Sequence, residues 1–456
     1  MTLRNNDYNP ITQGVIWKQL ILFMIPLFLQ SVFQQVFGIV DAIIVGQGVG
    51  KVALGAINST SNLTKLFLNL FQGFCSGAAI LVGQAWGARD GERVNRTLHT
   101  GFAFSIAGGL LVAAVCIPLT PLFMRVMSIP EDMTEASTVY TRIVFFGFIG
   151  VFLYDMAAGA LRAIGDSRRP FYYLAASLGL NILLDLLFVL VFRWGVAGAA
   201  AATALSHFFC AGLGIRCLCR QEGDARLRIR EIRFHSGEFG ATVRLGIPMA
   251  ISGILYSISN IAIQSTINSL GTNVIAGHGI MGNLTSVIWV FYDAVSIAAS
   301  TFAAQNYGAK QTGRVRGGVR SCIAVGACVV LPISLIVFLF GRPLSHMFIG
   351  DEAVIDSAVF MLRLEAPFLI FYLFGDVMTA SIRGCGETFR PMLITLIGTC
   401  GFRVLWVLAI RTIWSPTLLN VTLSYPASWI FNSALVAVYY FFGAWRRRLQ
   451  PGGQTE

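Results

Sequence analysis

The chain has 456 residues, of which 55% are hydrophobic and only 12% charged, and its formal net charge is +11. A water-soluble domain carries about 25% charged residues, so this chain lacks the polar side chains to cover a globule of its size. That excludes an ordinary soluble protein and predicts an all-α polytopic membrane protein.

Apolar runs of about 20 residues, enough to cross a bilayer as a helix, recur along the whole chain. They fall near 17–45, 53–81, 97–118, 137–161, 170–192, 196–218, 240–268, 274–303, 317–340, 355–381, 391–411 and 419–444, twelve in all. Residues 1–16 are polar and carry no small-residue cleavage site, so the first span is expected to remain in the mature protein. Glycine and proline recur inside the runs, which membrane helices tolerate.

The loops alternate in charge. Arg89, Arg93 and Arg96 follow span two; Arg162, Arg168 and Arg169 follow span four; seven arginines from Arg216 to Arg244 follow span six. Lys310, Arg314, Arg316 and Arg320 follow span eight, Arg383 and Arg390 follow span ten, and Arg446, Arg447 and Arg448 follow the last. The other loops hold few basic residues: Lys51, Arg125, Arg193, Arg342 and Arg411. By the positive-inside rule both termini are expected in the cytoplasm, in the plasma (inner) membrane of a cell. The basic excess is then a topology signal, and nucleic-acid binding is not expected.

The chain also repeats itself. GQAWGARDGERVNR after span two matches AQNYGAKQTGRVRG after span eight at a shift of 221, pairing Gln84, Gly87, Ala88 and Arg93 with Gln305, Gly308, Ala309 and Arg314. The same shift lays DMAAGALRAIGDSRRP on DVMTASIRGCGETFRP and Asn62-Leu63-Thr64 on Asn283-Leu284-Thr285. The expected division is an N-terminal lobe of six helices (1–220), a cytoplasmic linker (221–237) and a C-terminal lobe of six helices (238–456). Each half has an even number of spans, so the two are parallel repeats about an axis along the membrane normal. That arrangement belongs to secondary transporters.

Within the spans, acids stand out, because an Asp at a helix centre costs about 2.5–3.5 kcal/mol on insertion scales. Asp41 lies between aliphatic residues in QQVFGIVDAIIVG, and Asn181 and Asp185 lie four apart in span five, on one helix face. If spans one and five pack together, Asp41 completes an oxygen cluster, to which Thr203 of span six can add a hydroxyl. Oxygen ligands suit a hard cation such as Na⁺, and two carboxylates in low dielectric titrate as a coupled pair. Asp41 and Asp185 are thus candidates to bind either Na⁺ or H⁺. Pro26 in span one removes a helical hydrogen bond and is a candidate kink or gate. Gln34 and Gln35 are candidate cavity residues, or alternatively helix–helix contacts. In the other half Tyr292, Asp293 and Asp376 are candidates to meet a lipophilic cation. Asp155 and Asp376 are repeat equivalents, which favours a shared structural task. Other motifs carry little. GQGVGKV lacks the first Gly and the Ser/Thr of a phosphate loop, and His207 and His278 read as packing residues. The nine cysteines show no metal or disulfide spacing. Neither a cofactor nor an enzymatic activity is expected.

The VGQAWGARD segment, its echo after span eight and LRAIGDSRRP resemble the multidrug and toxic compound extrusion (MATE) family. The resemblance runs over essentially the whole chain. It implies two six-helix lobes in a V around a central cavity. It further implies export of organic cations or other amphipathic compounds, coupled to inward Na⁺ or H⁺, by a chain expected to be monomeric. The DinF-like branch of that family binds its coupling ion through an Asp of span one, an Asn and Asp of span five and a Thr of span six. Asp41, Asn181, Asp185 and Thr203 match that pattern. The NorM-like branch uses acids of spans seven and ten. Span seven here has none, and Asp376 lies about one turn from the expected place. The wider superfamily also contains flippases of lipid-linked oligosaccharides, the main alternative. A polytopic membrane enzyme is disfavoured by the lack of any nucleophile–base or metal motif.

Overall fold

The computed structural model describes residues 11–413 and 415–449. Both termini, and the side chains of Lys51, Asn62, Arg411, Arg447 and Arg448 used in the topology and repeat arguments, lie outside the described residues. Among the described residues the regular structure is helical and contains no strand. Twelve helices are long and apolar enough to cross a membrane, and each overlaps one of the predicted runs. They are α1 (Ile16–Gly48), α2 (Lys51–Gly87), α3 (Gly91–Val126), α4 (Glu131–Ala163), α5 (Arg168–Val191) and α6 (Gly195–Cys219). After the linker come α7 (Ser236–Asn268), α8 (Thr272–Gly308), α9 (Thr312–His346), α10 (Glu352–Gly384), α11 (Phe389–Ile410) and α12 (Leu418–Phe442). Four are locally irregular, α9 by a kink at Phe340 (φ −105°, ψ 17°). α5 ends as a π-helix over Leu186–Val191, α11 contains one over Leu396–Gly401, and α10 tightens into a 3₁₀ turn at Ala366–Phe368.

The outer faces are apolar. Leu111, Leu122, Val126, Leu335, Leu339 and Phe442 each expose half or more of their surface, which a soluble protein avoids over large contiguous areas. In a bilayer these side chains meet lipid, so the chain is a multi-pass membrane protein. Polar ends are capped in the ordinary way: Asp90 accepts from the Arg93 amide at the start of α3, and Asp351 from the Ala353 and Val354 amides at the start of α10.

The duplication is written in the backbone as well. Gly50 (φ 108°) and Gly271 (φ 98°), Arg89 (58°) and Lys310 (59°), and Gly165 (99°) and Gly386 (85°) all adopt positive φ, and each pair is related by the shift of 221. The three turns are thus built identically in both repeats. Gly50 and Gly271 end the α1–α2 and α7–α8 turns in a conformation that L-residues rarely adopt.

Two compact units emerge, and their division falls inside helices. One unit holds Leu29–Ala250, and the other the described residues up to Phe28 and from Ile251 onward. In the second unit Leu20, Phe23, Met24 and Leu27 of α1 join a core with Ile288, Phe291, Val295 and Ala298 of α8. In the first, the start of α7 lies tight against α2. A Cβ on Gly73 would stand 2.6 Å from the Ala250 amide, and one on Gly77 would stand 2.9 Å from the Gly246 amide. The first turns of α1 and α7 are therefore exchanged between the chain halves, two residues beyond Pro26 and Pro248 respectively. α1 itself runs helical straight through Pro26.

Candidate functional site

The first unit brings the predicted acids to one place. Asn181 and Asp185 are fully buried on α5, and Asp185 is the last α-helical residue before the π-helical stretch. π segments recur at functional positions because they re-aim side chains. Asp41 faces them from α1. Its charge acts on Asp185, and both carboxylates act on the Tyr140 hydroxyl of α4.

A shared apolar layer fixes the level of these residues. Val45 of α1, Val189 of α5 and Ala199 of α6 pack in one cluster with Ala53 and Val196, and Ala136 and Tyr140 of α4 lie against it. Asp41 and Asp185 each stand one turn before their valine. α6 runs opposite to α5, so Thr203, one turn after Ala199, sits on the same face at the level of the acids.

These polar groups are not satisfied by the protein. Asp41 Oδ1, both oxygens of Asp185, and Oδ1 and Nδ2 of Asn181 are buried without a hydrogen-bond partner. Buried polar groups in folded proteins nearly always find partners, and each orphan costs on the order of 1–3 kcal/mol, more when charged. A cluster that leaves five such atoms open on two helices is suited to receive a small cation or to share protons. A Na⁺ ion would draw on the Asp41, Asn181 and Asp185 oxygens, all hard donors. Among the described residues no group of three His, Cys, Asp or Glu side chains is placed to hold a transition metal.

Two further residues border the cluster. Tyr140 presents its hydroxyl to both acids. His207, one turn beyond Thr203 on α6, stacks on Phe37 at 5.8 Å, and its Nδ1 has no partner. Phe37 is itself one turn before Asp41. Span position alone marked His207 only as packing, and nothing in the sequence singled out Tyr140. Gln34 and Gln35 are exposed on α1. Gln30, one turn earlier, is the buried one and donates to the Tyr154 hydroxyl at 3.4 Å.

The candidates in the second unit are differently placed. Tyr292 is 2% exposed, and its hydroxyl donates to the Leu369 carbonyl at 2.8 Å. Its ring belongs to an aromatic group with Trp289 and Tyr372, at 5.6 and 4.9 Å. Asp293 is exposed. Asp376 is under the field of Arg383, seven residues on, as Asp155 in the first unit is under that of Arg162. The same Asp–Arg partnership thus occurs in both repeats.

The MatE family model matches residues 26–187 and 248–407, one segment in each repeat. The chain is 28% identical over 442 residues to a Bacillus subtilis (strain 168) protein named probable multidrug resistance protein YoeA, covering 95% of each. It is also 28% identical over 440 residues to probable multidrug resistance protein YpnP of the same strain, covering 95% of this chain and 97% of the relative. Among solved structures, one described as a crystal structure of MATE in the bent conformation shares the fold, with a TM-score of 0.89 at 21% identity over 98% of each chain. With the family model matched in both repeats, the chain belongs to the MatE family of multidrug efflux transporters.

Proposed function

We propose that the chain is a cation-coupled antiporter that exports amphipathic or cationic organic compounds by alternating access. Asp41, Asn181, Asp185 and Thr203 form its coupling site, and either Na⁺ or H⁺ is the coupling ion. The observation that carries this reading is the facing pair of carboxylates on α1 and α5, of which Asp41 Oδ1 and both Asp185 oxygens are buried without a hydrogen bond of ordinary geometry and only the Asn181 amide reaches toward Asp185. Such a pair is costly when empty and charged, and is relieved by Na⁺ or by protons. Binding therefore favours the arrangement that brings α1 against α5, and release favours separation. α1 carries Pro26 fifteen residues before Asp41, where a missing hydrogen bond lets the helix bend at low cost. A bend there re-aims the first turns of α1, which pack in the other unit. The names of the relatives, both multidrug resistance proteins, support drug-like cargo. The alternating loop charge supports cytoplasmic termini in the plasma membrane. The cargo leaves chemically unchanged.

The test is transport in proteoliposomes, with a proton gradient and a sodium gradient imposed separately and a fluorescent lipophilic cation followed. The reading predicts counter-movement of the dye under at least one gradient. Movement under neither contradicts antiport and points to a flippase of lipid-linked sugars.

A further inference from the structure

The second unit holds a charged cluster that the transport reading does not use. Arg403 on α11 is fully buried, directly after that helix's π segment. Its Nε donates to Ser428 Oγ of α12 at 3.0 Å, and its Nη1 to Asn260 Oδ1 of α7 at 2.7 Å. The guanidinium also lies over the rings of Tyr256 and Tyr425, at 5.3 and 4.9 Å. Glu365, on α10 just before its 3₁₀ turn, is 4% exposed. The charge of Arg403 acts on its carboxyl. Nη2 of Arg403 and Oε1 of Glu365 are nonetheless both without a hydrogen-bond partner. Among the described residues the other titratable groups beside the cluster are the Tyr256 and Tyr425 phenols, the Cys400 thiol, on which the charge of Arg403 acts, and His278, whose Nε2 meets the Tyr425 hydroxyl at 3.4 Å.

The place of this cluster is informative. At the shift of 221, Asp41, Tyr140, Asp185 and Thr203 align with Ala262, Met361, Trp406 and Ser424. Asn260 and Arg403 lie two and three residues before their aligned positions, on helices that run one way. Glu365 and Ser428 each lie four residues after theirs, on helices that run the other way. All four are therefore displaced by about one turn toward the same side. The same four helices of each repeat build a buried polar cluster.

We propose that Arg403 is a tethered cation occupying the second repeat's counterpart of the cation cluster, so that the chain couples through the first unit alone. This rests on the coupling reading of Asp41 and Asp185. The guanidinium meets what a bound ion would meet, namely Asn260 Oδ1, Ser428 Oγ and the field of Glu365, and, being part of the chain, it cannot be released. A neutral residue at 403 leaves the Asn, Ser and Glu oxygens facing a vacated volume, a donor set of the kind that takes Na⁺ or a proton.

The experiment is equilibrium binding of ²²Na⁺, with proton uptake measured in parallel, on the full chain in detergent. Asp41→Asn/Asp185→Asn with Arg403 intact is expected to bind no cation. Adding Arg403→Gln is expected to create a saturable cation site, and adding Glu365→Gln to abolish it again. Arg403→Lys, which keeps the charge, is expected to create none. No gain with Arg403→Gln, or a gain that Glu365→Gln leaves intact, overturns the proposal. Binding that survives Asp41→Asn/Asp185→Asn overturns the first-unit reading instead, and overturns this one too if Glu365→Gln removes it. Should Arg403→Gln unfold in plain buffer, its melting temperature is followed against Na⁺ and pH. Rescue that depends on Glu365 is expected, and absence of rescue overturns the proposal.

Discussion

The first unit contains two kinds of intramembrane acid. Asp155 is under the field of Arg162, and its repeat equivalent Asp376 is under that of Arg383. Asp41 and Asp185 have only each other, with a phenol and an amide beside them. An arginine acts on Asp155 and another on Asp376, although Asp293 also acts on the latter. An acid whose neighbour is another acid is compensated only when something is bound. Under the proposed coupling role, the first kind holds the fold and the second responds to a cation.

That contrast can be broken by mutation. The largest effect on stability is expected at the arginines. Arg162→Ala or Arg383→Ala removes the cation that acts on Asp155 or Asp376. Thermal melting in detergent should fall steeply for each. Asp155→Asn combined with Arg162→Gln should fall much less. A steep fall for the double variant as well would show that the pair matters for packing and not for charge.

At the responsive pair the expected sign differs. Asp185→Asn removes a carboxyl that has another acid and no cation beside it, so the melting temperature without Na⁺ at neutral pH should stay level or rise. Loss of stability comparable to Arg162→Ala would place Asp185 among the structural acids.

The smallest effect is expected at the linker. His235 holds the linker to α3 through Thr100, 3.1 Å from its Nδ1, while its Nε2 accepts from Arg233 at 3.2 Å. Burial, then Arg233, Arg96 and His99, hold its proton affinity below the ordinary value of 6.5, and only Glu238 acts in the other direction. The folded form therefore prefers neutral His235, and its contribution is complete above about pH 6.5 and declines as the pH falls below it. Protease nicking between 220 and 235 should rise slightly on acidification, and His235→Ala should flatten that dependence.

Much of this architecture was legible in the sequence because its signals are local and repeated. A membrane helix is announced by its own run of apolar residues, and the duplication by motifs at one constant shift. The exchange of first turns between units was less visible, since contacts of Leu20 or Phe23 cannot be read from their neighbours in the chain. The Ile-Pro dipeptides at 25–26 and 247–248 were the one trace of it. At the site, Asp41, Asn181 and Asp185 stood out because a charged or amide group in hydrocarbon is conspicuous. Tyr140 and His207 did not, because a phenol or imidazole in an apolar helix is unremarkable until its neighbours are known. Gln34 and Gln35 stand exposed on α1 while Gln30, one turn earlier, is buried, and polarity near Asp41 does not by itself say which face of the helix each residue takes. Arg403 and Glu365 become legible only with the fold, because the groups that meet them lie on other helices.

The central claim is that Asp41 and Asp185 couple cation entry to export. The most direct measurement is gradient-driven counter-transport of a lipophilic cation in proteoliposomes by Asp41→Asn and Asp185→Asn, alongside dye binding to the same purified proteins. Each substitution takes a carboxylate out of the cation cluster, so gradient-driven transport should drop sharply in each variant while dye binding persists. Full transport with unchanged ion dependence in both variants would contradict the account.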